Sequence, residues 1–426
     1  MVYRLRNTVQ HYEWGSSKAL VDLYGFDNPG RQPLAELWVG SHPKAPSRLV
    51  TGSGEVPLDE YITANPLRAL GASAALGASA AGEDPKVPDG LPFLFKILCA
   101  QTPLSIQVHP SRAQAQAGYA AEQRCGVEES DPRRNYRDRN HKPELICAIG
   151  EFWGLRGFRP VAEIRDEFTT VEFNKADPHL SLPESENGLA SFFREQLELP
   201  EVSRRELIAA AVSLAGGRWH GRPLDRLPQP GDPLARYFWV LRIADAYPGD
   251  IGVLAPLVLN VFSLRPGEAT FQPAGVLHAY LHGVGAEVMA NSDNVLRGGM
   301  TPKHIDIAEL MRVGRFRSES PQILTGLADH DPVDRGCRLM RYPTPFEEFE
   351  FSRVLPAGRC RLRGGSPQVL FCHRGAVRVC PAGRAGAAPA DIALAPGEAV
   401  FVDAEDETVE IVGDDGAEVF RTRVPV

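Results

Sequence analysis

The sequence predicts a mainly β protein with a helical insertion, α+β in class, made of two small β-barrel or jelly-roll units and one all-helical unit. Three observations predict it. Short β-like runs bounded by Gly and Pro occur toward both ends of the chain, whereas apolar residues at helical spacing are confined to the middle. The hexapeptide Pro266–Phe271 (PGEATF) recurs as Pro396–Phe401 (PGEAVF), with five identities, each copy following a Leu-x pair between apolar β segments. A chain of 426 residues also exceeds what one hydrophobic core usually serves.

These signals divide the chain into a first β unit at 1–158, a helical insertion at 159–250, the return of the first β unit at 251–328, and a C-terminal β unit at 329–426. Leu91–Ala100 is apolar nearly throughout and reads as a buried strand, followed by an extended Ser105–His109. Ser111 with Gln114 three residues on forms a capping box, and Gly126 follows that helix's end. Gly71–Asp84 is a low-complexity Ala/Gly/Ser stretch, read as a surface loop or frayed helix. Pro160 opens the helical unit, Ser203-x-x-Glu206 caps a second helix closing at Gly216, and Leu234–Ala246 repeats apolar residues at helical spacing. Strand signals return at Val258–Leu264, and then at Gln368–Cys380, Ile392–Val402, Thr408–Val412 and Glu418–Val424.

Composition is that of a globular protein, 43% hydrophobic and 23% charged. The net charge of −8 argues against nucleic acid or an anionic membrane as partner, so a phosphate-bearing ligand needs a locally built positive site. The N-terminal segment has no apolar core of a signal peptide, and the longest apolar run, Ile251–Phe262, is broken by Pro256 and Asn260. A cytoplasmic protein is expected, with a monomer favoured. Seven Cys without a C-x-x-C pair read as reduced thiols filling the core.

The chemistry lies around the first hexapeptide. Gly267-x5-Pro273-x-Gly275-x2-His278 is the glycine–proline–glycine–histidine half of the cupin signature, in which a turn delivers one His into a barrel mouth. Upstream, Gln107-Val-His109 stands where that pattern has His-x-His, and residues i and i+2 of a strand share a face. Asn140-His-Lys-Pro-Glu144 adds a carboxylate. Two imidazoles, a carboxylate and an amide oxygen (His109, His278, Glu144 and Gln107) make a metal ligand set with room for water or substrate. His282 follows His278 at helical spacing, but its strand context argues against a ligand role.

The segments YEWG (12–15), AELWVGSHPKAPS (35–47), LPFLFKILCAQTPLSIQVHP (91–110), RNHKPEL (139–145) and the block from Pro256 to Asp306 resemble the type I phosphomannose isomerases. The likeness runs over roughly residues 3–315, and the last block is the most specific; the final hundred residues match loosely. The resemblance implies interconversion of mannose 6-phosphate and fructose 6-phosphate, one zinc on Gln107, His109, Glu144 and His278, and an active-site Arg297. Trp153-Gly154-Leu155-Arg156 departs from the small residues expected there, which bears on pocket shape.

Such a reaction moves a proton between C1 and C2 through a cis-enediol and needs no redox cofactor. Lys142 and His141, beside Glu144, are candidate proton carriers, and Arg297 is a fixed cation for an oxyanion or phosphate. Asp293 would reach Arg297 if SDNVLRGG began a helical turn. Lys96, in an apolar strand, must be paired if buried and is set against substrate oxygens, with Tyr280 and Glu287 as further sugar contacts. Two readings compete with the isomerase: a cupin-type iron oxygenase, which Gln107 as fourth ligand disfavours, and a non-catalytic sugar-binding bicupin, which leaves Lys142, Asp293 and Arg297 without a role.

Overall fold

The computed structural model describes residues 1–71, 90–171, 180–329, 334–381 and 391–425. Beyond Gly71 the Ala/Gly/Ser stretch lies outside them. In chain order the strands are β1 (Val2–Arg6), β2 (Thr8–Gln10), β3 (Glu36–Gly40), β4 (Arg48–Thr51), β5 (Gly54–Pro57), β6 (Phe93–Ala100), β7 (Gln107–Val108), β8 (Glu144–Ala148) and β9 (Phe152–Phe158). After the helical stretch come β10 (Leu259–Leu264), β11 (Glu268–Gln272), β12 (His278–Ala290), β13 (Leu296–Arg297), β14 (Leu324–Thr325) and β15 (Leu327–Asp329). The last are β16 (Arg335–Tyr342), β17 (Glu350–Arg363), β18 (Gln368–Arg374), β19 (Val377–Pro381), β20 (Ile392–Leu394), β21 (Ala399–Val402), β22 (Thr408–Gly413) and β23 (Glu418–Arg423).

The described residues form a mainly β, α+β chain with two antiparallel sheets. One follows the order β14-β11-β8-β12-β6-β3-β2, with β9–β10 and β7–β13 branching from β12. The other follows β20-β19-β22-β17-β23-β18-β21-β1-β4-β5, with β16 and β15 branching from β17. The expected unit 1–158 is therefore divided. Val2–Leu5 lie antiparallel to Ala399–Val402, and β4 and β5 extend that sheet. The edge of β21 would otherwise be unpaired, and β1 covers it.

Long-range packing accounts for the element choices. β6 (FLFKILCA) is buried at every position because its two faces meet two cores. Phe95, Ile97 and Cys99 pack with Phe351, Phe371, Phe401 and Phe420 of the C-terminal sheet, while Leu98 and Ala100 join Ile146, Phe152, Phe262 and Tyr280 inside the first. The helices Val161–Thr170, Leu189–Leu197, Glu201–Arg218 and Ala235–Ala246 share a third core with β9 and β12. The Ser111–Gln114 capping box forms ahead of Arg112–Arg124. Ser203 is not the N-cap: its helix starts two residues earlier, at Glu201 after Pro200, whose fixed φ already suits a helix entry. Trp153 packs against Trp239 of the helical unit, and Arg156 is bonded to Phe271 O, Ser320 O and Glu319, so this departure serves packing. The cysteines are not all reduced core fillers: Cys337 and Cys360 form a disulfide where β16 meets β17, and Cys125 is exposed. Antiparallel pairing brought the first two together across 23 residues, which no local spacing signals. No helix among the described residues is long and apolar enough to cross a membrane.

Candidate metal centre and active site

Three adjacent strands, the short β7 and β13 and the start of the long β12, set the row of side chains. Gln107 on β7 stands in register with His278 at the start of β12 on one side and with Arg297 on β13 on the other. Residues directly opposite in an antiparallel pair present side chains to one face. The turn before His278 bends at Gly275, whose φ of 85° favours glycine and whose N–H donates to His109 O at 2.9 Å. Glu144 opens β8, with Gln272 of β11 and Met289 of β12 as its Cα partners.

These elements bring the donor atoms of His109, Glu144 and His278 within 4.8 Å of one another, all buried. His109 Nε2 lies 3.2 Å from Glu144 Oε1 and His278 Nε2 lies 3.3 Å from Glu144 Oε2. The opposite ring nitrogens are occupied: His109 Nδ1 donates to Asn294 O at 2.8 Å and His278 Nδ1 to Val276 O at 3.0 Å. Backbone acceptors on Nδ1 leave the Nε2 lone pairs directed inward, as in metal sites. His109 Nε2 is a buried nitrogen with no hydrogen-bond partner. Burial pushes this imidazole down to about 4, so it is neutral and ready to ligate. Burial alone would raise Glu144, but Lys142 and His109 outweigh it and hold the carboxyl well below its ordinary range. Two imidazoles and a carboxylate fit a divalent transition metal, with half-buried Gln107 alongside. His282 belongs to the same strand, with Nδ1 on Gln101 O, and is not in the cluster.

Around this cluster the other expected residues divide. Lys142 is buried with Nζ 3.1 Å from Glu144 Oε1. Lys96 is 7% exposed and held between Glu36 Oε1 at 3.2 Å and Glu287 Oε2 at 2.7 Å. Burial works against its charge, yet Glu287 and Glu36 prevail and the ammonium is held above its ordinary value. Lys96 is thus neutralised by two carboxylates. Tyr280 is buried, its hydroxyl 3.4 Å from Glu144 Oε2.

Arg297 stands opposite Gln107, but the helical turn expected over SDNVLRGG does not form. Leu296–Arg297 is a strand, because Gln107–Val108 needs a pairing partner on that side. Asp293 consequently does not meet Arg297. Its carboxylate contacts Lys44 Nζ at 2.9 Å and His42 Nε2 at 3.6 Å; burial would raise its pKa, but those two groups hold it well below the carboxylate range. His141 is turned to the C-terminal unit, where Nε2 meets Glu348 and lies 3.0 Å from Arg112.

Two sets of residues escaped sequence reading. Asn294, fully buried, orients His109 through its carbonyl while its side chain accepts from Arg137 N at 2.7 Å and donates to Asn140 O at 2.8 Å. It ties the loop before Arg297 to the segment carrying Lys142 and Glu144. The second set is cationic. Burial lowers the Lys303 pKa, as do Arg297, Lys44 and Arg137 nearby, and burial and Arg137 lower that of Arg297. Among the described residues neither Lys303 nor Arg297 has a carboxylate partner, and Arg137 donates to the carbonyls of Glu129 and Asp131. Arg297, Lys303 and Arg137 thus form a local positive patch in a chain of net charge −8. Only the SDN and TPK segments near them could have signalled it, as isolated polar loop residues.

The family model described as "Phosphomannose isomerase type I, catalytic domain" matches residues 2–161. The mannose-6-phosphate isomerase of Salmonella typhimurium is 38% identical, covering 96% of this chain and 97% of its own. The Homo sapiens mannose-6-phosphate isomerase is 33% identical, covering 83% and 82%. A crystal structure of the Salmonella typhimurium enzyme bound to its substrate fructose 6-phosphate and to zinc superposes with a TM-score of 0.84 at 34% identity, covering 100% of both chains.

Proposed function

The chain belongs to the type I phosphomannose isomerases, and on that premise we propose how its own residues carry the isomerisation. The reaction is the aldose–ketose interconversion of mannose 6-phosphate and fructose 6-phosphate, with zinc as cofactor. Gln107, His109, Glu144 and His278 hold the ion. The carrying observation is the pair of imidazoles whose Nδ1 atoms are tied to backbone carbonyls while both Nε2 atoms converge on Glu144. Zinc, when bound, supplies a Lewis acid that stabilises negative charge on oxygen.

The geometry supports the following reading of the remaining roles. Arg297, beside Gln107 and without a carboxylate partner, faces the oxygen on which charge develops. Lys303 and Arg137 take the phosphate, building locally the positive site that a chain of net charge −8 requires. Lys142 moves the proton between C1 and C2: it is buried against a ligand carboxylate, whereas Asp293 is engaged by Lys44 and His42, and His141 by Glu348 and Arg112. Glu36, Lys96, Glu287 and Tyr280 form the polar floor against which the sugar hydroxyls lie. Each sheet is read as a cupin-like barrel, which the shared turn at Gly267 and Gly397 supports. The iron-oxygenase and non-catalytic readings gain no support from the relatives.

The test is incubation of the purified protein with fructose 6-phosphate. Mannose 6-phosphate should accumulate, and a chelator should stop it. Consumption of O₂, or binding of the sugar phosphate without conversion, would overturn the reading.

A further inference from the structure

The C-terminal sheet has so far served only to cover apolar surface, but one of its side chains reaches the catalytic machinery. The loop between β16 and β17 carries Phe346, Glu348 and Phe349. Phe346 packs edge-on against Phe271 of β11 with ring centroids 5.5 Å apart and against Phe349 at 5.6 Å, which fixes the loop over the catalytic sheet. Glu348 is thereby held 7% exposed, and its Oε1 contacts both Arg112 and the Nε2 of His141. Arg112 and His141 also meet each other at 3.0 Å. Arg112 stands three residues after His109, and His141 three residues before Glu144. One carboxylate oxygen thus clamps together the two segments that deliver His109, Lys142 and Glu144.

We infer that Glu348 is a positioning residue of the isomerase, acting through His141 and Arg112 to hold the Asn140–Glu144 segment against the His109 segment. Burial would raise the Glu348 pKa, but the His141 hydrogen bond and charge outweigh it, so the clamp is a carboxylate at neutral pH. A buried carboxylate oxygen without other partners, Oε2, marks the cost the fold bears to keep the group there. The catalytic sheet is therefore incomplete without the C-terminal one. This inference rests on the isomerase reading and adds a residue that no ligand motif contains.

The experiment is a double-mutant cycle on the full-length, zinc-loaded chain. Glu348→Gln keeps volume and removes charge. It should lower kcat roughly ten- to a hundredfold, the scale seen when partners that orient ligand segments are removed. KM should change less than about twofold, because Lys303 and Arg137 are untouched, and zinc retained after dialysis against a weak chelator should fall. In a His141→Gln background the same change should cost less than about twofold more, since the intermediary is already gone. Glu348→Asp should recover part of the loss. If Glu348→Gln misfolds, Arg112→Ala, at an exposed position, should reproduce the kcat loss in weaker form. Full kcat in Glu348→Gln, or an equal loss with and without His141, would overturn the inference while the wild-type chain still turned over. A wild-type chain inactive on fructose 6-phosphate would instead overturn the isomerase reading.

Discussion

The two sheets turn the same corner and then diverge. At Gly267 and Gly397 φ is 84° and 90°, and each glycine N–H donates at 2.8 Å to the adjacent strand, to Ala148 O and Cys372 O. In both, the following Glu accepts a 2.8 Å bond from the residue three back, Arg265 or Ala395. The pairing beyond the turn is also shared. Phe271 and Phe401 stand opposite Leu145 and Val369, and Gln272 and Val402 opposite Glu144 and Gln368. The counterpart of Glu144 is thus Gln368, fully buried and bonded by Arg421 Nε at 2.8 Å. Opposite Ile146 the first sheet has Glu287; opposite Leu370 the second has Arg421. Seven residues after Phe271 comes His278, delivered by the Pro273–Gly275 turn; seven after Phe401 comes Thr408, and Val402–Glu407 carries neither Pro nor Gly. The same frame carries a buried His–Glu–His cluster in one copy and an amide–guanidinium pair in the other. Chemistry here is a property of a turn and a few inward residues, grafted on a repeated scaffold.

The largest expected effect comes from removing the residue the second copy lacks. His278→Ala should lose nearly all bound zinc and all measurable turnover, whereas His282→Ala should keep its metal; elemental analysis of both proteins decides it. Equal losses would mean the wrong histidine has been assigned. Arg297→Ala is next, costing roughly 10²–10³ in kcat, as for single oxyanion-stabilising groups, while zinc stays bound. Arg297→Lys should restore little, because the planar fork is lost. Near-normal kcat in either would reduce Arg297 to a structural cation.

A pH experiment sharpens the contrast on the zinc-stripped chain. The folded His109 imidazole protonates only near pH 4 and the unfolded one near 6.5, so the unfolded chain binds more protons between those values. Stability should therefore fall as pH drops through that window, by on the order of 2–3 kcal/mol. Glu144, whose pKa is also depressed, adds to the loss in the same direction at lower pH. A urea midpoint that stays flat from pH 7 to 5 would show that His109 is not buried neutral without metal. The smallest effect belongs to the second copy. His373 Nδ1 bonds Tyr24 OH at 2.9 Å and its ring stacks on Phe420 at 4.8 Å, while Cys372 Sγ lies 3.4 Å from Gly375 O. Cys372→Ser/His373→Ala should cost about 1–2 kcal/mol of stability and leave zinc content and turnover unchanged. Loss of a metal equivalent would expose a second site.

What was legible in the sequence is what local geometry determines. The Pro–Gly turn before His278 is turn physics, and His278 meets His109 and Glu144 in one cluster, whereas β7 ends at Val108, so His109 follows that strand instead of sharing it with Gln107. What was not legible depends on partners far along the chain. SDNVLRGG looks like a helical turn until β7 claims it as a strand. Asp293 is drawn to Lys44 and His42, 249 and 251 residues away, and β1 to the edge of β21. Lys303 and Arg137 carry no periodic signal, since loops alone bring these charges together. Glu348 sits 207 residues from His141, and nothing in its neighbourhood marks it.

Anomalous diffraction at the zinc edge from crystals of the full-length, zinc-loaded chain tests the difference between the two copies most directly. A single peak is predicted, within coordination distance of His109 Nε2, His278 Nε2, Glu144 and Gln107. A peak elsewhere, or a second one inside the C-terminal sheet near Gln368 or His373, would contradict the account.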